Sequence, residues 1–399
     1  MLVKLGENRV RTLAMYLPQY HRIAENDMWW GDGFTEWVTV RSAEPVYKNH
    51  YQPREPLNDN YYNLLNRSVM EHQAKLAKKM RIDGFCFYHY WFKDGRKILE
   101  KPAENLLKWK DIDMPFCFYW ANEPWVRSWS KVEGGNAWAA KYEKDREISD
   151  GRAVLLEQEY GKLKEWIEHF DYMLPFFKDK RYIKNNGKPL VLIYRPEKIY
   201  CLDKMLECWK NRAAKAGLPG LYIVVANNVD KEWTNVDAYL LHEPTNINEV
   251  IYYNEKKTNR YKKVINGVNT YSYDDIWREI LFQRRPKNKK VFMSGCVGFD
   301  TTPRHGKNGM IFTGQTPKKF YRYLKLLMLK SLIRKNEFVF INAWNEWGEG
   351  MYLEPDKVTG YKYLNAVRKV REDTEKFEKS LFGSEGEIGE NCENMGRAW

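Results

Sequence analysis

Cysteine is scarce and unpatterned: six in 399 residues, with no CxxC. A disulfide framework is excluded as the organising principle, and Cys86 and Cys117, each inside an apolar run, read as small core residues. No apolar stretch approaches the ~18 residues needed to span a bilayer, so no integral membrane segment is expected. The opening MLVKLGENRVRT carries no apolar signal segment. With so little cysteine, that makes the cytoplasm the expected location. There is no Walker loop and no glycine-rich phosphate turn after an early strand. The seven histidines show no HExxH or related spacing, so neither a metal nor another cofactor is expected. Gly-x-Ser-x-Gly is missing, which argues against a serine hydrolase. One DxD, Asp111-Ile112-Asp113, resembles the element by which many nucleotide-sugar glycosyltransferases hold a metal. It precedes an apolar run, whereas chemistry on a parallel barrel gathers where such runs end.

Aromatic residues are abundant instead, with 16 Trp and 27 Tyr. Their rings fill cores, and on polar clefts they are the surfaces on which sugars and bases stack. The net charge is +13. Basic runs at 256–263 (KKTNRYKK) and 284–290 (RRPKNKK) suit anionic partners or solvated helix ends equally well. No nucleic-acid motif accompanies them, so nucleic acid is not an expected partner.

Eight short apolar runs recur, at 12–16, 84–90, 115–120, 190–194, 221–226, 238–241, 291–294 and 338–342. They are continuously apolar, as strands buried on both faces of a parallel sheet are. Helical patterns separate them, except between the fifth and sixth, where the connection is too short. Thr316-Pro317 is an N-cap followed by proline at the first helical position. This alternation predicts a single (β/α)8 TIM-type barrel over residues 1–382, with long loops after strands 1, 3 and 6. The rival, an open doubly wound sheet, lacks its phosphate turn. Residues 383–399 are small, polar and acidic, and are expected to be a disordered tail that can be removed without loss of folding.

On a barrel, function sits where each strand stops. The eighth run ends in Trp344, Asn345, Glu346, Trp347, Gly348 and Glu349. The third leads to Trp120, Asn122, Glu123 and Trp125, and the second to His89 and Trp91. The others lead to Tyr194 and Arg195, to Asn227, to Glu243, and to Asp300 and Arg304. The loop after the first run carries Trp29, Trp30, Glu36 and Trp37. Carboxylates, amides and rings on one face suit a carbohydrate substrate, and glycosidic cleavage needs an acid and a second carboxylate. Glu346 and Glu349, three apart, come together if their turn is helical. Repulsion between them then raises one pKa. Trp29, Trp30, Trp37, Trp91, Trp120 and Trp125 are expected to line the substrate cleft. His89, Asn122, Glu123, Tyr194, Asn227, Glu243, Asp300, Trp344, Asn345 and Trp347 are further candidates for substrate contact. Arg195 and Arg304 read as neutralisers of these acids.

The phrases YLPQYH, WWGDGFTEW, PVYKNHYQPREPLN, WANEPW and AWNEWGEGMYLEPD, as a set, resemble the WbsX-type proteins of bacterial surface-polysaccharide loci. Those are similar to family 99 glycoside hydrolases, endo-acting α-mannosidases and α-mannanases on a (β/α)8 barrel. The resemblance runs from about residue 13 to 356. It implies a retaining mechanism in which Glu346, as base, activates the sugar 2-hydroxyl to form a 1,2-anhydro sugar. Glu349 is then the acid and afterwards the base, protonated at rest. Gly348 departs from family 99, which carries histidine there, so mannose specificity does not carry over. Three functions stay open: a glycoside hydrolase or transglycosidase, a glycosyltransferase of O-antigen or capsule synthesis, and a non-catalytic carbohydrate-binding barrel.

Overall fold

The computed structural model of the protein describes residues 9–126, 148–149 and 152–382. The expected tail and most of the connection after the third apolar run lie outside them.

Eight parallel strands close into one barrel: β1 Arg11–Tyr16, β2 Gly84–His89, β3 Phe116–Trp120, β4 Lys188–Ile193, β5 Tyr222–Ala226, β6 Ala238–Leu241, β7 Val291–Cys296 and β8 Phe338–Asn342. All eight expected runs are there. Closure is explicit in the register, with β1 on β8 (Leu13 opposite Phe340) and β3 on β4 (Phe118 opposite Val191). Every residue of β3 and of β8 is buried. Their continuous apolarity thus reflects a barrel interior on one side and helices on the other.

The helices are α1 Ala24–Trp30, α2 Glu36–Arg41, α3 Arg67–Lys79, α4 Lys101–Lys108, α5 Leu163–Lys178, α6 Leu202–Lys215, α7 Thr245–Tyr252, α8 Glu255–Tyr261, α9 Tyr273–Phe282, α10 Thr302–His305, α11 Pro317–Ile333 and α12 Lys362–Phe382. α11 begins as its sequence dictates: the Thr316 side chain accepts from the Lys319 N–H at 3.2 Å, and Pro317 takes the first helical position. It buries Phe320, Leu324, Leu327 and Met328. The short β5–β6 connection holds no helix. The loops after β1, β3, β6 and β7 carry extra structure, and the one after β3 holds a small antiparallel sheet of Trp125–Val126, Arg152–Leu156 and Ile148–Ser149. α1 and α2 follow β1; α7, α8 and the hairpin Lys262–Ile265/Val268–Ser272 follow β6. That hairpin pairs with Met310–Thr313 beyond β7, so the β6 and β7 loops brace each other at the mouth.

The shell packs closely against the strands. A methyl group at Gly295 on β7 would lie 2.3 Å from Cη2 of the Trp277 indole on α9, which is fully buried. Gly295→Ala is therefore expected to destabilise by about 1–3 kcal/mol, the usual range for overpacking a core. Urea denaturation checks this, and Trp277→Leu in the same chain should recover part of the loss. An unchanged midpoint in Gly295→Ala would show that the indole moves freely.

Candidate active site

The segment after β8 is pinned before it turns. Trp344 N–H donates to the Met15 carbonyl at 2.8 Å. The Asn345 amide brackets Leu17, accepting from its N–H at 2.8 Å and donating to its carbonyl at 3.0 Å. The Tyr20 hydroxyl donates to the Asn345 carbonyl. The chain then makes a narrow antiparallel loop, Asn345 opposite Tyr352 and Glu346 opposite Met351, closed by the 3₁₀ turn Trp347–Glu349. Gly350 leaves that turn at φ +62°, where a side chain is strained. This turn is the helical geometry that brings residues three apart onto one side, and it sets Glu349 beside Glu346.

Glu354 lies beneath. Its carboxyl accepts from the Tyr62 hydroxyl (2.8 Å), Gln73 (2.8 Å) and the indole N–H groups of Trp344 (3.0 Å) and Trp347 (2.8 Å). It therefore fixes both tryptophans that flank Glu346. Asp300 holds the other side. Its backbone N–H donates to the Glu349 carbonyl at 2.7 Å, and its carboxylate takes hydrogen bonds from His50, Gln52, Arg54 and Thr302.

One guanidinium spans the pair. Arg304, on α10 beyond β7, donates from Nη2 to Glu346 at 2.9 Å and from Nη1 to Glu349. It also donates from Nη2 (2.8 Å) and Nε (3.1 Å) to Glu36 on α2. Three strand ends thus meet at one cation. Gly348 leaves the room this needs: a Cβ there would sit 1.8 Å from the Glu36 Oε1.

Three carboxylates on one cation leave excess negative charge in a desolvated place. Burial, then repulsion from Glu349, pushes Glu346 up to about 8. Burial also raises Glu349, against Arg304, which lowers it. Their side chains are 7% and 26% exposed, so Glu346 is the deeper of the two, and the pair shares the raised affinity for a proton. Burial raises Glu354 to about 7 despite its four donors.

The structure distributes the other candidates unevenly. Trp29 and Trp30 are partly exposed on α1. Trp37, Trp91, Trp120 and Trp125 are buried, so the expected six-ring open cleft reduces to two partly open rings. Trp37 packs against Tyr20 and Trp347 and donates to the Tyr62 carbonyl; Trp120 donates to the Trp91 carbonyl. Trp91 stacks on His169, whose Nε2 is 2.8 Å from that of His89, and both imidazoles are kept neutral by burial. Trp344 and Trp347 are committed to Glu354, and Asn345 to Leu17. Asn122 ties the Arg195 backbone, accepting at 2.7 Å and donating at 2.8 Å. Asn227 accepts from the His242 N–H, and Glu243 is fully buried against Asn246, Ile247 and Gln283 at the start of α7. Asp300 is fully buried as well. These partners occupy most of the buried candidates, but the Asn227 Nδ2 is buried with no hydrogen-bond partner among the described residues. Glu123 is open, paired with Arg195 at 2.7 Å, and Tyr194 is partly open.

Three contributors were not among the expected contacts. Glu36 and Arg304 were visible as acid and neutraliser, but only the fold joins them. Tyr88 on β2 is partly open, and the charges of Glu346 and Glu349 add to burial in raising its phenol. Its signal was its place at a strand end. Among the described residues no helix is long and apolar enough to cross a membrane. Asp111 and Asp113 lie ahead of β3, paired with Arg67 and Lys78 on the surface.

The fold is that of the glycoside-hydrolase-like barrels. A GH99 endo-alpha-mannosidase from Bacteroides thetaiotaomicron superposes with a TM-score of 0.54 at 12% identity, over 94% of this chain and 99% of that one. A protein described as glycoside hydrolase-like superposes with a TM-score of 0.52 at 14% identity, over 93% and 96%. The chain itself belongs to the family described as Glycosyltransferase WbsX, whose model matches residues 12–367. An uncharacterized protein WxcX of Xanthomonas campestris pv. campestris is 31% identical over 380 residues, 92% of this chain. The chain spans about half the length of that relative, 50%.

The raised carboxyls give a stability signature. A carboxyl whose folded pKa exceeds its unfolded value stabilises below the unfolded value and loses that contribution as pH rises through the folded one. For Glu346 the window runs from 4.5 to about 8. Thermal melts should therefore fall between about pH 5 and 8, and Glu346→Gln should flatten the decline, by on the order of a few kcal/mol. A wild-type melting temperature that rises across this range would contradict the assignment.

Proposed function

We propose that the chain is a glycoside hydrolase or transglycosidase acting with retention on a bacterial polysaccharide or its oligosaccharide precursor, with Glu346 and Glu349 as the acid–base pair. The observation that carries this reading is the carboxyl pair bridged by Arg304 where β7 and β8 end, with burial raising both groups so that one can keep a proton near neutral pH. Exposed loop acids titrate near 4 and cannot supply that proton. The family context supports polysaccharide as the substrate class.

The pair divides the work by what each substrate oxygen can do. A glycosidic oxygen has only lone pairs, so it favours a protonated Glu349. A 2-hydroxyl can donate, so it favours an ionised Glu346. Substrate binding thus settles the shared proton on Glu349. Glu346 then takes the 2-hydroxyl proton as O2 attacks the anomeric carbon. The bond to the leaving oxygen breaks, and Glu349 protonates that oxygen. Water, or a second sugar hydroxyl, next opens the 1,2-anhydro ring at the anomeric carbon. Glu349 takes its proton and Glu346 returns one to O2. Among the described residues Tyr88, Tyr194, Trp29 and Trp30 are partly open rings that a sugar could meet. Glu123, paired with Arg195, offers a hydroxyl acceptor.

The test is incubation with a panel of bacterial surface polysaccharides and their oligosaccharide precursors, with products weighed by mass spectrometry. Fragments or transfer products from wild type, absent with Glu346→Gln, support the reading. Mass gain only when a nucleotide sugar is supplied would make the chain a glycosyltransferase. Binding with no change of mass in either arm would make it a carbohydrate-binding barrel. On an active glycoside, Glu349→Gln should lose at least ~10²-fold where the leaving group is poor and little in the first step where it is good. Glu346→Gln should lose both, measured as kcat/KM on an alkyl and a nitrophenyl glycoside.

A further inference from the structure

We propose that Glu36 and Arg304 form a positioning device that keeps one proton on the Glu346–Glu349 pair, and that residue 348 is glycine because the Glu36 carboxylate fills its side-chain space. The role rests on the acid–base reading above, but the device is visible without it. The geometry is specific: a single nitrogen, Nη2 of Arg304, donates to both Glu36 and Glu346, while Nη1 reaches Glu349. Glu36 receives a second hydrogen bond from Nε, which fixes the plane of the guanidinium.

The charge arithmetic explains why a third acid is present. An arginine between two carboxylates would favour both as ions, and no proton would remain for a leaving group. Glu36, 3% exposed and itself bonded to Arg304, offsets that positive charge. The pair is left with its own repulsion, which one retained proton relieves. The cation meanwhile keeps the two carboxyls oriented toward each other. The other groups facing the cluster do not supply this balance. Tyr20, Tyr88, Tyr90 and Tyr194 are neutral phenols whose pKa values burial raises. The His305 imidazole is held down by burial and by Arg304, and Arg54, beside Gly350, is paired with Asp300.

Gly348 follows from the same placement. With a Cβ 1.8 Å from the Glu36 Oε1 and 3.1 Å from Arg304 Nε, even alanine must displace the glutamate from the guanidinium. Gly348→Ala and Glu36→Ala should then have the same effect, and Gly348→Ala should add nothing once Glu36 is gone.

The experiment needs no substrate, so its outcome is separable from that of the glycosidase reading. Protein labelled with ¹³C-glutamate is titrated by infrared difference spectroscopy, and the protonated carboxyl band of the pair is identified by subtracting the Glu346→Gln spectrum. Glu36→Gln keeps one acceptor for Arg304 but removes a charge, and should lower the midpoint by about one pH unit or more. Arg304→Gln should raise it, and Arg304→Lys, which keeps the charge but cannot span three carboxyls, should fall between. Gly348→Ala should lower it as Glu36→Ala does. Circular dichroism confirms that each variant is folded, and Arg304→Lys and Glu36→Gln carry the test if the truncations are not. Midpoints that move in one direction for both the Glu36 and Arg304 variants, or do not move, would overturn the proposal.

Discussion

The constraint on which the site depends is the sharing of one buried guanidinium by three carboxylates. Arg304 cannot satisfy Glu36, Glu346 and Glu349 as three full charges, and two of the three, Glu36 and Glu346, are nearly closed to water. Burial, together with that crowding, raises the pKa of both Glu346 and Glu349. In a barrel this is achieved with residues from three separate strand ends, after β1, β7 and β8, whose relative positions the closed sheet fixes. Breaking any one partner leaves an uncompensated charge, which costs far more than an exposed ion pair contributes.

Much of the surrounding structure serves to hold that arrangement still. Asn345 stitches the β8 loop to the end of β1, Glu354 gathers both flanking indoles, and Asp300 grips the Glu349 backbone while His50, Gln52 and Arg54 grip Asp300. The tryptophan-rich phrases around the motif are thus largely scaffolding: their rings pack and their N–H groups are used internally. The acidic pair gains rigidity from this, and rigidity is what pre-organised acid–base chemistry needs.

The barrel was legible because buried parallel strands have a simple signature, continuous apolar runs separated by helical periods. Each of the eight runs is a strand, and the cap at Thr316 opens its helix. The Glu346–Glu349 turn was legible for a local reason, a three-residue spacing bounded by glycine. The contents of the cleft were much less so. A strand-end tryptophan and a core tryptophan look alike in sequence, since the difference lies in which neighbour covers the ring; Trp37 and Trp120 are covered and Trp30 is not. The union of Glu36 with Arg304 spans 268 positions, and no local pattern encodes it. Gly348 carried the hint, an absent side chain whose space belongs to a residue from another strand.

The chain belongs to the family described as Glycosyltransferase WbsX, shares its fold with a GH99 endo-alpha-mannosidase, and has about half the length of its curated relative. The central claim is narrower: a proton-sharing pair cleaves a glycoside through its own 2-hydroxyl. The direct measurement is proton NMR of the first-formed product from a cleaved glycoside, recorded before mutarotation, beside the matching 2-deoxy glycoside. The account predicts a product of retained anomeric configuration and no turnover of the 2-deoxy substrate. An inverted product, or full turnover without the 2-hydroxyl, would contradict it.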